Sequence, residues 1–230
     1  MPTYPGGKNS SYQTIINLIP PHEVYIEPFV GSGAILLNKR PARWSIAIDR
    51  DASAAESLLA TIAGRDDLSR ITTIICDDAT RWLAEYRFTG LEFVYADPPY
   101  LMSSRRQHRQ LYRWELSTEN EHRQLLAILK SLPCKVMISG YWSELYEREL
   151  AGWEVETFEA VTRGGGMATE YLWMNYPHPV ALHDYRYLGA GFRERERIKR
   201  KKARWLSRWQ NMPTLEKQAI LAALQEQLPD

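Results

Sequence analysis

The sequence predicts a doubly wound α/β fold, a mostly parallel sheet with helices on both faces. Three observations carry that expectation. Apolar runs of strand length alternate with stretches of helical composition, the pattern a parallel sheet imposes on a chain. One run, Val24-Tyr25-Ile26-Glu27, passes through Gly31-Ser32-Gly33 straight into helix formers, so strand, glycine turn and helix follow in direct succession. Finally, 230 residues that are 44% hydrophobic and 25% charged can bury one substantial core with an appendage, but not two full domains.

Each element has its own local reason. A first helix is expected over 10–19, stopped by Pro20-Pro21. Strands follow near 24–27, 44–49, 71–76, 92–97 and 135–139, with helices between them near 34–39, 52–62, 79–87 and 119–131. The last of these has the clearest start, because Thr118 precedes it and Glu121 stands three residues on, the pair that closes a reciprocal capping box. Residues 143–150 read as another helix. Runs at 153–161 and 170–175 then follow with no helix between them, separated by the glycine-rich 162–169, which is a hairpin signal. There is no internal repeat and no low-complexity tract.

Composition narrows the class. Residues 1–11 lack the apolar core of a signal peptide and no run approaches membrane-spanning length, so a cytoplasmic chain with no membrane partner is expected. Cys76 and Cys134 lie in or beside strands and read as small core residues in a reducing compartment. None of the five histidines forms half of a ligand pair, and no metal is expected. Charge is segregated: 186–208 carries an excess of eight positive charges while the whole chain is only +1, leaving −7 for the rest. The helix formers of 192–209 break at 211–214, and 215–228 reads as a second, amphipathic helix with Leu215, Ile220, Leu221 and Leu224. Lys199, Arg200, Lys201 and Lys202 suit contact with nucleic-acid phosphates. A charged helix packed on the core, or serving an oligomer interface, is the alternative.

Two motifs carry chemistry. Asp97-Pro98-Pro99-Tyr100 follows a buried strand, and its prolines remove two N–H donors, so the Asp97 carboxylate and the Pro98 carbonyl can both accept from one –NH2 group. Tyr100 offers a face for a flat base. Upstream, Gly31 and Gly33 permit close backbone approach, but position 36 is Leu36, so the dinucleotide fingerprint is incomplete, which argues against NAD. Asp49, ending the second strand, could accept both hydroxyls of a ribose. Asp77 and Asp78 end the third, where the amino group of a cofactor adenine would sit. Each acid can equally be a helix N-cap.

In order along the chain stand Tyr4-Pro5-Gly6-Gly7-Lys8, Glu27-Pro28-Phe29-Val30-Gly31-Ser32-Gly33, Asp49 and Asp97-Pro98-Pro99-Tyr100. With them the chain resembles the S-adenosylmethionine-dependent DNA adenine-N6 methyltransferases of the Dam-like (D12) class. Ser139-Gly140-Tyr141 and the segment from Glu170 to Tyr176 are further matches, and the resemblance covers about residues 1–178. It implies a seven-stranded methyltransferase sheet with an antiparallel last strand over 1–183, followed by a basic helical extension over 184–230. It also implies S-adenosylmethionine as cofactor, no metal, and methyl transfer to the N6 of an adenine flipped out of double-stranded DNA. Carried over residue by residue, the catalytic set is Lys8, Asp97, Pro98, Pro99 and Tyr100. The cofactor set is Tyr4, Gly7, Lys8, Glu27, Phe29, Gly31, Ser32, Gly33, Asp49, Asp77, Asp78 and Asp97. Lys8 resembles the position that closes over cofactor and target.

The chain departs from its larger relatives in target recognition, because only 79–96 separate Asp78 from Asp97, leaving no room for a helical recognition insert. Recognition is therefore assigned to 101–116, with Arg105, Arg106, Arg109, Tyr112 and Arg113 as DNA contacts, and secondarily to the loop 163–169. A homodimer and a restriction-endonuclease or phage setting are compatible with this reading. Two other functions stay open at this point: methylation of an exocyclic amine in RNA, such as a guanine N2, and a non-catalytic nucleic-acid-binding module. Pro5-Gly6-Gly7-Lys8 and the 170–176 segment favour the DNA family.

Overall fold

The computed structural model describes residues 8, 11–101, 116, 118–161 and 166–227. They fall into two compact units that divide after Asp184. In the first unit, α1 (Tyr12–Ile16), β1 (Val24–Glu27), α2 (Ala34–Asn38), β2 (Trp44–Asp49), α3 (Ala52–Ala63), α4 (Asp66–Ser69), β3 (Thr72–Cys76), α5 (Ala79–Glu85) and β4 (Glu92–Ala96) come first. They are followed by α6 (Glu119–Ser131), β5 (Lys135–Gly140), α7 (Glu144–Glu149), β6 (Glu154–Val161) and β7 (Met167–Met174).

The seven strands form one sheet in the order β3-β2-β1-β4-β5-β7-β6. β1 pairs in parallel with both β2 and β4, so the strand order reverses between β1 and β4. Chain leaving these two strands diverges, which opens a crevice beyond their carboxyl ends. The expected antiparallel end of the sheet is present: β7 runs against β5 and against β6, with Val161 opposite Met167 across the hairpin.

Burial explains the strand patterns. Phe93, Val94, Tyr95 and Ala96 of β4 are all fully buried, because a central parallel strand is covered on both faces and reads as a continuous apolar run. The helix starts are made by side chains. Glu121 N–H donates to Thr118 Oγ1 (3.2 Å) while Thr118 N–H donates to Glu121 Oε2 (2.9 Å), the box expected for α6. Ser143 likewise accepts from Tyr146 N–H at the start of α7.

In the first unit the structure departs from expectation in four places. α1 stops at Ile16 instead of running to 19, because the chain tightens before Pro20-Pro21: Leu18 and Ile19 N–H donate to the Ile15 and Ile16 carbonyls, three residues back instead of four. The single turn α4 has no counterpart in the sequence pattern; Leu68, fully buried, holds it down. β7 begins at Met167, three residues before the apolar run, because hairpin pairing extends the strand beyond its hydrophobic part. Cys76 is exposed, not a core residue, since β3 is an edge strand and Cys76 is its last residue; Cys134 is buried, which pushes its thiol up to about 12.

Just ahead of β1, His22 stacks on buried His183 with ring centroids 3.9 Å apart. His22 Nδ1–H donates to the Pro20 carbonyl (2.8 Å) and His183 Nε2–H to the Arg40 carbonyl (2.9 Å). Burial, then the nearby Lys39 ammonium, pushes His22 down to about 2 and His183 down to about 4. Both rings therefore stay neutral in the fold while the unfolded chain takes up protons below the ordinary value of 6.5. Their effect on stability is nil above that value and unfavourable as pH falls from it toward about 4 for His183 and about 2 for His22. Each histidine is expected to cost up to about 1.4 kcal/mol per pH unit between pH 6.5 and 5. The buried Glu27 carboxyl, pushed up to about 8, acts in the opposite direction there, so the histidine part is the difference in pH slope between the wild type and His183→Gln. Urea midpoints at pH 7 and pH 5 measure it, and a His183→Gln variant with an unchanged pH slope would contradict it.

The second unit holds α8 (Phe192–Gln210) and α9 (Thr214–Gln227), broken at Asn211 to Pro213 as expected. Neither helix has a buried residue. The expected amphipathic face of α9 is not formed: Leu215 and Leu224, 79% and 55% exposed, lie on opposite sides, since nine residues at roughly 100° each turn the helix by half a revolution. Among the described residues no helix is long and apolar enough to cross a membrane, and no group of His, Cys, Asp and Glu could hold a metal ion.

Candidate active site

The candidate site is built at the carboxyl ends of β1, β2, β3, β4 and β5. Glu27 closes β1, and its buried Oε2 accepts from the Tyr25 hydroxyl (2.8 Å) and the Leu36 N–H (3.2 Å), so it ties the strand to α2. Burial pushes this carboxyl up to about 8. Phe29 packs against the core, and the chain then turns through Gly31 at φ 49° and Gly33 at φ 68°, the left-handed region that side chains rarely adopt. A Cβ on Gly33 would also stand 2.7 Å from Leu58 Cδ1. Ser32 is half-buried between the two glycines.

Asp49, closing β2, locks this turn in place. Its Oδ2 accepts from Gly31 N–H (2.8 Å) and its Oδ1 from Asp51 N–H (2.9 Å). Each oxygen has a second lone pair with which to accept from a ligand. Burial raises this carboxyl above its ordinary value, opposed by the backbone donors of Asp51, Gly31 and Arg50. Beyond β3 the two acids bond differently. Asp78 caps α5, accepting from Arg81 N–H (2.9 Å), and stands 3.6 Å from Arg50 Nη1. Asp77 accepts from Asp78 N–H (2.6 Å) and pairs with the Arg81 guanidinium.

Asp97 follows β4, with Pro98 buried and Pro99 and Tyr100 half-buried. Ser139, near the end of adjacent β5, donates its hydroxyl to Asp97 Oδ1 (2.7 Å). Its own oxygen lies 3.0 Å from the Tyr95 hydroxyl, and because the serine proton goes to a carboxylate, Tyr95 is the donor to Ser139. A buried relay thus fixes the plane of the Asp97 carboxylate.

Lys8 enters the same site from the amino-terminal side. Its carbonyl accepts from Ser11 and Tyr12 N–H at the start of α1, which anchors it there. Its Nζ lies 3.0 Å and 2.9 Å from the two Asp97 oxygens, 3.3 Å from Glu170 Oε2, and donates to the Tyr100 hydroxyl. Lys8 is only 4% exposed, so it is no solvated loop lysine. Burial by itself would lower its pKa, but the Asp97 and Glu170 carboxylates outweigh burial and hold it above the ordinary lysine value. Tyr100 meets Tyr141 edge-on, ring centroids 4.5 Å apart.

The structure thus brings Lys8, Asp97 and Tyr100 into contact, and sets Gly31, Gly33 and Asp49 on the neighbouring strand ends. Tyr4, Gly7, Arg105, Arg106, Arg109, Tyr112 and Arg113 lie outside the described residues. Lys199, Arg200, Lys201 and Lys202 are exposed on α8 in the second unit. Ser139 and Glu170 stand in motifs that the sequence matches, but sequence reasoning gives neither of them a role. The available signal for Glu170 is a charged residue leading an apolar run, since a carboxylate buried in a strand needs a partner.

A doubly wound sheet with a glycine turn after β1, an acid after β2 and Asp-Pro-Pro-Tyr after β4 at the switch point defines a methyltransferase of the α/β class. The family model for D12 class N6 adenine-specific DNA methyltransferases matches residues 4–54 and 49–161, and the chain belongs to that family. No curated protein matches it in sequence. A solved structure shares the fold. A possible exported protein from Bordetella parapertussis superposes with a TM-score of 0.52 at 11% identity, covering 74% of this chain and 67% of that one. Precorrin 8w decarboxylase from Methanobacterium thermoautotrophicum gives 0.49 at 16%, covering 77% and 95%. An rRNA methylase from Streptococcus thermophilus gives 0.46 at 12%, covering 76% and 97%.

Proposed function

We propose that the protein transfers a methyl group from S-adenosylmethionine to the N6 amino group of an adenine flipped out of double-stranded DNA. The observation that carries this reading is the Asp97 carboxylate, fixed by Ser139 at the end of β4, on the strand adjacent to the one that ends in the Gly31 to Gly33 turn. Residues 1–183 would form the catalytic domain and 184–230 the basic extension.

The residues fit a nucleoside-bearing cofactor. Gly31 and Gly33 put no side chain of their own into the turn, Asp49 would offer carboxylate lone pairs to a ribose, and Asp77 would stand where a cofactor amino group is read, Asp78 being engaged as a cap. The cofactor, when bound, supplies an electrophilic methyl on a sulfonium.

The chain's own residues supply alignment. An adenine N6 lone pair is delocalised into the ring and is a poor nucleophile. Hydrogen bonds from N6 to Asp97 and to the Pro98 carbonyl would pyramidalise the nitrogen and aim it at the methyl. The new C–N bond would form as the S–C bond broke, and the extra N6 proton would then leave to solvent, while Asp97 and the Pro98 carbonyl hold the nitrogen in line. Lys8 is not the base for that proton, because Asp97 and Glu170 hold it charged. Alignment of this kind lowers the barrier by several kcal/mol, on the order of 7–11 for a well-oriented pair. Flipping costs a few kcal/mol, offset by stacking on Tyr100 and by the hydrogen bonds to N6.

Arg105, Arg106, Arg109, Tyr112 and Arg113, directly after the catalytic motif in sequence, would read bases beside the flipped adenine. The exposed α8 cluster would hold phosphates. Neutralising Lys199, Arg200, Lys201 and Lys202 together is expected to weaken binding to all duplexes alike and to flatten its salt dependence, by about 0.9 in log–log slope for each phosphate no longer neutralised. Fluorescence titrations at two salt concentrations measure this, and an unchanged slope would remove α8 from the DNA footprint. The function itself is tested with labelled cofactor on duplex DNA and on RNA, followed by nucleoside analysis. N6-methyladenine in the DNA is the expected product; label confined to RNA would replace this reading with the RNA one.

A further inference from the structure

The three groups around the Lys8 ammonium are not equivalent. In the proposed reaction Asp97 holds the target amino group and Tyr100 stacks on the base. Glu170 takes no part in it, yet it is a buried carboxylate on β7, 3.3 Å from Lys8 Nζ. We propose that Glu170 is a positioning residue, the second seat of the Lys8 ammonium, which carries the cation when the target amino group takes over an Asp97 oxygen. The proposal rests on the adenine methyltransferase reading.

The reason lies in competing donors. Lys8 Nζ lies 3.0 Å and 2.9 Å from the two oxygens of Asp97, and Ser139 already donates to one of them. An N6 amino group is also a donor and needs one of the same oxygens. It can engage Asp97 only if Lys8 gives way. A lysine 4% exposed has no water to move into, and a buried ammonium parted from its carboxylate must meet another acceptor. Glu170 is that acceptor, and at 3.3 Å it is reached by a shift of the Nζ without withdrawal of the side chain. Charge agrees with geometry: two carboxylates against one ammonium leave the pocket with a net negative charge. That suits a sulfonium arriving with the cofactor and the cation that forms on N6 after transfer.

Two experiments test the seat, one through turnover and one without it. Glu170→Gln is expected to lower kcat on duplex DNA about ten- to hundredfold, the range of a lost charge-assisted hydrogen bond, with the KM for DNA nearly unchanged because phosphate contacts set it. Glu170→Asp should recover part of the loss. In a Lys8→Met background the Glu170→Gln change should cost little more, because Glu170 acts through Lys8; equal losses in both backgrounds would mean a packing role and overturn the proposal. Independently of turnover, Lys8 acylation by a lysine-reactive ester is followed by mass spectrometry. In Asp97→Asn, Lys8 should stay protected by Glu170, and in Asp97→Asn with Glu170→Gln it should become reactive, as burial then lowers its pKa. Equal reactivity of the single and double variants would overturn the second seat. If the wild-type protein methylates no adenine while the protection pattern holds, the functional reading fails and the seat for Lys8 stands.

Discussion

Asp97→Ala is expected to abolish methyl transfer to duplex DNA while leaving S-adenosylmethionine affinity within a few-fold. The carboxylate makes its bonds to Ser139 and Lys8, not to the Gly31 to Gly33 turn, so its removal takes away the acceptor for N6 and leaves the cofactor side intact. A lost transition-state hydrogen-bonding group of this kind costs on the order of a hundred- to a thousandfold in rate. The loss should exceed that, because Asp97 is at once the acceptor for N6 and the shared partner of Ser139 and Lys8, so the whole cluster loses its centre. Asp97→Asn keeps the shape and one acceptor oxygen, but turns the other into a donor facing an amino group, so only trace activity should remain. Single-turnover transfer of a labelled methyl group, beside calorimetric titration of the cofactor, measures both halves. Near-normal turnover by Asp97→Ala would show that the active site lies elsewhere.

Gly31→Val should show the converse, a strong loss of cofactor binding. Gly31 has φ 49°, which a β-branched residue adopts only under strain of about 1–3 kcal/mol. Its N–H bond to Asp49 Oδ2 couples the turn to the carboxylate proposed to hold the ribose, so relief of the strain would displace both. The side chain would also occupy space needed by the methionyl group. Affinity for S-adenosylmethionine should fall by roughly five- to a hundred-and-fiftyfold, the equivalent of that strain. Thermal unfolding would be compared in parallel, because Gly33, the second left-handed glycine, packs against Leu58 and ties the turn to the fold. A folded Gly31→Val protein with wild-type affinity would remove the turn from the cofactor site.

Much of this molecule is legible from the order of its residues. The strands at the centre of the sheet are continuous apolar runs because both their faces are covered, and a run such as Phe93 to Ala96 needs no knowledge of its neighbours to be recognised. The cap of α6 is equally local, closed between Thr118 and Glu121 within three residues. The motif order, from Lys8 through Gly31 and Asp49 to Asp97, identifies the family without any geometry, because each motif stands beside an element that the apolar pattern places.

Tertiary structure decided what depends on partners remote in the chain. Lys8 and Asp97 are 89 residues apart, and Asp97 and Ser139 are 42 apart; no periodicity relates them, and only the adjacency of β1, β4 and β5 brings their ends to one crevice. The same cause explains the departures. β7 begins early because pairing with β6 draws Met167 to Thr169 into the strand, and Cys76 is exposed because β3 is at the edge of the sheet. Glu170 reads along the chain as one acid in an apolar strand. Its role follows from the buried ammonium it faces, since a charge removed from water is settled by whichever opposite charge the fold sets beside it.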